Sequence, residues 1–262
     1  MTGVIVLMYH ALYADETERE AIDPIERPYA VSLDAFRRQL DWMAAAGIPI
    51  RDPLSPSSPA ARAPTSVVLT FDDGHASNYY HAFRLLRERG DAGVFFVTTD
   101  FIGTRRGFCE WPQLREMAGA GMHIGSHGKS HRFFDDLPRA ELEAEYAGSR
   151  DAIVAGTGQT PRWISFPGGR YLQEQISAGR AAGYRLFFTS DVGANDPGAF
   201  ERGGIVRRIA IGQGTSHKAF TRIAGADTLF LARATAVGGA KKALRRMLGN
   251  RLYHALYERF ST

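Results

Sequence analysis

The chain has 262 residues, 44% of them hydrophobic and 23% charged, which is enough apolar content for one sizeable core and suits a single α/β domain. Its formal charge is +4, but residues 241–260 carry Lys241, Lys242, Arg245, Arg246, Arg251 and Arg259 against Glu258, a net +5, so the rest of the chain stands at about −1. The pI of about 9.3 therefore describes a basic tail; with no interleaving of aromatic and basic residues in the body, nucleic acid is excluded as a partner, and the single Cys109 excludes both an internal disulfide framework and a four-cysteine zinc site.

Taken in order, Val4 to Met8 is a continuous apolar run that reads as a buried strand and delivers Tyr9 and His10 to its end. A polar loop follows to about Arg27. Ser32 then caps a helix whose Phe36, Leu40 and Met43 share one face and which ends before Gly47. The proline-rich stretch from Pro53 to Pro64 reads as an extended loop, because the pieces on either side are too short to fold alone. From there strands and helices alternate: a strand over Val67 to Phe71, a helix from Tyr80 to Arg89, a strand over Val94 to Val97, a helix from Trp111 to Ala118 and a strand over Met122 to Ile124. Pro138 opens a helix carrying Leu142, Tyr146 and Ile153, and Trp163 to Phe166, Leu186 to Thr189 and Ile205 to Ile211 are the later strands. Six or seven strands alternating with helices imply a largely parallel sheet covered by helices and closed as a barrel.

Three strand ends carry chemistry. The first is Asp72-Asp73-Gly74, where side-chain alternation sends the two carboxylates in different directions, so one can hold a metal while the other moves protons; read alone, the tripeptide is a solvated turn. The second is Gly125-Ser-His-Gly-Lys-Ser-His131. His127 and His131, four apart, can share one ion, and Asp73 completes an Asp, His, His set that leaves positions open for water and substrate. Zinc suits these ligands best, and cobalt, nickel or manganese fit the same donors. The third is Phe166-Pro-Gly-Gly169, a plain turn on its own, whose glycines let backbone approach a ligand and whose Gly168 N–H can face a developing oxyanion.

Thr70-Phe-Asp-Asp-Gly74, Ser126-His-Gly-Lys-Ser-His131 and Phe166-Pro-Gly-Gly169, in this order, resemble the polysaccharide deacetylases of carbohydrate esterase family 4, over about Val4 to Ile211. The resemblance implies a distorted (β/α) barrel of about seven parallel strands and metal-dependent removal of acyl groups from sugars. By position it makes Asp72 the general base, Asp73, His127 and His131 the holders of one divalent metal ion, and the Gly168 N–H an oxyanion donor. The family's usual C-terminal Leu-x-His motif is missing. His10, in Leu7-Met-Tyr-His10, resembles the same histidine in a branch whose motifs are circularly permuted, and on that resemblance it is the general acid. Two further departures stand out. Gly128 replaces the hydroxyl residue that commonly follows the first metal histidine, and Ser165 replaces an arginine that tethers the base, a role that Arg208 can take instead. Tyr9, Trp111, Phe166 and Pro167 are the candidate substrate-binding residues, although aromatic residues here also serve as core.

The expected organisation is a barrel over residues 1–235 and a basic amphipathic tail over 236–262, in which Leu244, Met247, Leu248, Leu252 and Leu256 follow helical spacing. The tail either packs on the barrel or docks on anionic lipid through residues 240–260. With no basic leader ahead of the first apolar run, the expected location is the cytoplasm, peripheral to the inner membrane face if the tail docks. The reaction expected is removal of N-acetyl groups from an amino sugar or polysaccharide precursor. A deformylase or amidase acting on a lipid-linked amino sugar is the enzymatic rival, and a non-catalytic carbohydrate-binding barrel is the rival of another class.

Overall fold

Side chains alternate along a strand, and in the first two long strands both sets are apolar, as burial on two sides requires. In β1 (Gly3–Tyr9) and β4 (Thr65–Phe71), Ile5, Leu7, Tyr9, Val67, Leu69 and Phe71 pack with helical residues such as Phe36, Leu40 and Met43, whereas Val4, Val6 and Val68 join Phe96, Trp163 and Phe188 on the inner side. The computed structural model that establishes this describes residues 3–55, 60 and 63–239.

The remaining strands are β2 (Leu12–Tyr13), β3 (Val31–Ser32), β5 (Val94–Val97), β6 (His123–Ser126), β7 (Trp163–Ser165), β8 (Leu186–Phe188), β9 (Gly204–Val206) and β10 (Ile209–Ala210). Of the ten strands among the described residues, eight form one parallel, curled sheet in the order β10-β1-β4-β5-β6-β7-β8-β9, and β2 and β3 form a small separate ladder. The sheet is a half-barrel with helices around it. Its two edge strands, β9 and β10, are joined through Arg207 and Arg208, so the stretch from Ile205 to Ile211, expected as one strand, serves opposite edges of the sheet. The break has a local cause. Asn195 takes both backbone groups of Arg207, with Oδ1 accepting its N–H at 2.8 Å and Nδ2 donating to its carbonyl at 2.9 Å, so no strand neighbour can pair there.

Helices fall largely where expected. Ser32 Oγ accepts from Ala35 N at the start of α2 (Leu33–Ala45), whose buried Phe36, Leu40 and Met43 each contribute about 1.5–3 kcal/mol of apolar burial. The segment expected as a polar loop contains α1 (Glu16–Ala21). It buries no residue and is set instead by its Asp15 cap and the Glu16–Arg19 pair, so it leaves no apolar period in the sequence. A π-helical turn, Asn78–Phe83, runs into α3 (Arg84–Arg89), which stops at Gly90 with φ 71°. Then come α4 (Trp111–Gly119) and α5 (Arg139–Thr157), the latter capped by Pro138 and burying Leu142, Tyr146 and Ile153. A helix over 228–239 runs through position 236 without a break. The tail from 240 on, and most of the proline-rich loop, lie outside the described residues. Among the described residues no helix is long and apolar enough to cross a membrane.

Candidate active site and metal centre

Parallel strands point their carboxyl ends to one side, and there the ends of β1, β4, β6 and β7 bring His10, Asp72, Asp73, His127 and the Gly168 turn together. The strand period assigns the directions. Asp72 follows Val68 and Thr70 inward and is almost fully buried. Arg208, itself buried in the gap between β9 and β10, reaches it in bidentate fashion: Nη1 donates to Oδ1 at 2.7 Å and Nη2 to Oδ2 at 2.8 Å. Ser165 Oγ donates to the same Oδ2 at 3.0 Å and accepts from Arg208 Nη2 at 2.6 Å, so serine and arginine act together where one tethering arginine was missing from the strand. Burial alone pushes the Asp72 carboxyl up. The Arg208 guanidinium, nearby His127 and the hydrogen bonds from Arg208 outweigh burial and hold it below the usual carboxylate range.

Asp73 leaves the strand with φ 73°, which turns its side chain away from that of Asp72. Its Oδ1 lies 3.3 Å from His127 Nε2 and 3.2 Å from His131 Nε2, and it is buried without a hydrogen-bond partner. His131 also has a left-handed backbone, φ 65°, so two of the three non-glycine residues with positive φ among the described residues belong to this cluster. His127 Nδ1 is 3.0 Å from the Ser165 carbonyl, which can only accept; the ring proton therefore sits on Nδ1 and Nε2 is free to bind a cation. Burial pushes His127 down to about 4, which keeps that nitrogen unprotonated. For His131 burial acts downward, but the carboxylate of Asp73 beside it prevails and raises it. An orphaned carboxylate oxygen converging with two imidazole nitrogens is a donor set that fits a divalent metal ion.

His10 lies at the inner end of β1 with Nδ1 buried and unpartnered, its ring 5.1 Å from that of Tyr29. Burial holds it below the ordinary imidazole value, against the pull of Asp73 and Asp72. Its carbonyl accepts from Asn78 Nδ2 at 2.8 Å, which ties this strand end to the turn after Gly74. Gly168 is a required glycine: φ is 62°, and a Cβ there would stand 2.6 Å from the Phe133 ring.

None of the four candidate substrate-binding residues lines the cleft next to the Asp73, His127 and His131 cluster. Tyr9 faces the helices, fully buried, stacks on Phe71 and donates its hydroxyl to Gln39 at 2.8 Å. Phe166 is equally buried between Tyr171 and Phe187, and Pro167 is buried beside it. Trp111 lies over Gly156 of α5, in a depression away from the strand ends. A cleft of about 410 Å³ does adjoin the Asp73, His127 and His131 cluster, lined by Glu26, His75, Tyr80, Arg105 and Phe108 among others. His75, which no sequence signal marked, connects the two: its Nε2 is 3.7 Å from Asp73 Oδ2 and 3.7 Å from Glu26 Oε2. Arg170 was also missed. It is buried and ties the Gly168 turn to the loop after His131 through Asp135 at 2.8 Å and Asp136 at 2.5 Å.

Comparison with known proteins follows the same lines. Residues 60–187 match the family model for polysaccharide deacetylase. The chain is 27% identical over 221 residues to YxkH of Bacillus subtilis (strain 168), whose polysaccharide deacetylase assignment is itself provisional, covering 82% of this chain and 74% of that protein. Among solved structures, IcaB from Ammonifex degensii superposes with a TM-score of 0.70 at 25% identity, covering 86% of this chain and 97% of that one. The Streptococcus pyogenes deacetylase PplD, solved in complex with acetate, gives 0.71 at 22% identity over 84% and 97%, a likeness of fold. The matched segment, just under half of the chain, holds Asp72, Asp73, His127, His131 and the Gly168 turn, so the similarity to the polysaccharide deacetylase family falls on the site residues themselves.

Proposed function

We propose that the protein is a metal-dependent hydrolase that removes N-acetyl groups from an amino sugar within a polysaccharide or its precursor. The observation that carries this reading is Asp73 Oδ1, buried and unpartnered between the Nε2 atoms of His127 and His131, next to a second carboxylate held by Arg208 and Ser165. An ion held by Asp73, His127 and His131, zinc being the best match to those donors, supplies Lewis acidity to the attacking water and the acyl carbonyl. The protein's own groups do the rest. Asp72, kept ionised by Arg208, takes a proton from the water as its oxygen bonds to the carbonyl carbon. The Gly168 N–H stabilises the charge that gathers on the acyl oxygen. His10, which must take up a proton against the effect of its burial, delivers it to the sugar nitrogen as the carbon–nitrogen bond breaks, so acetate and a free amine leave. The sugar would lie in the cleft beside His75, where carboxylates and guanidinium groups can satisfy its hydroxyls.

The test is acetate release from an N-acetylated amino-sugar oligomer, before and after stripping with chelator and again after adding Zn²⁺. The expected result is loss of release on stripping and its return with zinc. Formate release from an N-formylated oligomer with no acetate from the acetylated one would move the assignment to a deformylase. No turnover of either, in protein loaded with zinc, would refute the hydrolase reading.

A further inference from the structure

Between the two histidines the chain runs Gly128-Lys129-Ser130, and its support comes from outside the loop. Glu145, projecting from α5, is buried; its Oε2 accepts from the backbone N–H of Lys129 at 2.6 Å and of Ser130 at 3.0 Å, while Oε1 meets Ser130 Oγ. On the other side the Gly128 carbonyl accepts from Thr99 N at 3.3 Å and the Lys129 carbonyl from Asp100 N at 2.9 Å. Gly128 makes room for the carboxylate. Its φ is 82°, and a Cβ there would stand 3.2 Å from Glu145 Oε2 and 3.0 Å from the Phe134 ring. A side chain at 128 would therefore press on both the Glu145 carboxylate and the Phe134 ring, in a backbone conformation that already favours glycine.

We infer that Glu145 is a positioning residue for the metal centre, bracing from α5 the loop that carries both histidines. By fixing the two N–H groups that precede His131, it holds that residue's left-handed backbone where Nε2 comes within 3.2 Å of Asp73 Oδ1. Glu145 is not itself a ligand, and the inference rests on the metal assignment proposed above. Groups that orient ligands in this way commonly account for 10–100-fold in metal affinity.

Two readouts without substrate test it: Zn²⁺ dissociation by competition with a chromophoric chelator, and amide hydrogen exchange at Lys129 and Ser130 in metal-free protein. Glu145→Ala should weaken zinc binding about 10–100-fold and speed exchange at both amides. Glu145→Gln should stay within about threefold of wild type, because its carbonyl oxygen can accept both N–H groups and its amide can donate to Ser130 Oγ. Folded Glu145→Ala with unchanged zinc affinity overturns the inference alone. Wild-type protein that binds no zinc overturns the metal reading with it. Should the alanine variant fail to fold, wild-type exchange decides: fast exchange at Lys129 and Ser130 in the metal-free protein rejects the clamp.

Discussion

Replacing Arg208 by methionine removes five hydrogen bonds at once: two to Asp72, one to Ser165 Oγ at 2.6 Å, one to Thr70 Oγ1 at 3.3 Å and one to the Thr189 carbonyl at 3.0 Å. The larger effect is on what stays behind, a carboxylate buried with its counter-charge gone. Breaking a buried pair from one side costs about 3–5 kcal/mol. For a domain of this size that corresponds to a fall in Tm of roughly 6–20 °C. The pH dependence carries a sign. In the wild type the Asp72 carboxyl lies below its ordinary value, so its contribution is present above the usual carboxylate range and is lost as pH falls through the depressed value. In Arg208→Met burial acts unopposed by the guanidinium and raises the group, so the deficit against wild type should be full near pH 8 and shrink as pH falls towards 4. Thermal melts of metal-free protein across pH 4–8 read both effects, and Arg208→Met combined with Asp72→Asn should be more stable at pH 8 than Arg208→Met alone. A deficit under about 1 kcal/mol that is flat with pH would refute the account of this pair.

Tyr9→Phe should cost about 1 kcal/mol, since the buried Gln39 loses its donor, and should leave KM for the oligomer unchanged; a several-fold rise in KM would put Tyr9 in contact with substrate after all. His127→Ala should lose bound metal and turnover together, and metal content equal to wild type, measured by elemental analysis, would remove it from the ligand set. If the tail docks on anionic lipid, deleting residues 240–262 reduces co-sedimentation with anionic liposomes and leaves acetate release from a soluble oligomer intact; unchanged co-sedimentation rules the docking alternative out.

Much of this site could be read from strand ends. Asp72, Asp73, His127, His131 and Gly168 each follow an apolar run, and the pairing of the runs into one sheet brings them to one edge. The same alternation that separates Asp72 from Asp73 also turns Tyr9 and Phe166 toward the helices, which agrees with the core role that the sequence left open for them. Other features depend on packing between distant segments. Ser165 and Arg208, 43 residues apart, become one tether only because the Arg207–Arg208 break carries the guanidinium inward. Glu145 and His75 lie outside any spacing pattern, and the positive φ of Asp73 and His131 is a property of the folded loops that no residue preference announces. Helix α1 was invisible for a simpler reason: it is polar all round and buries nothing.

The central claim is a division of labour between adjacent carboxylates, Asp73 on the ion and Asp72 on the water. Asp72→Asn separates them most directly when bound zinc and the rate of acetate release are measured on the same sample, at a temperature where both proteins are folded. The account predicts zinc content equal to wild type with turnover lowered at least about 100-fold, the scale of losing a general base. Turnover within a few-fold of wild type, or loss of zinc along with turnover, would contradict it.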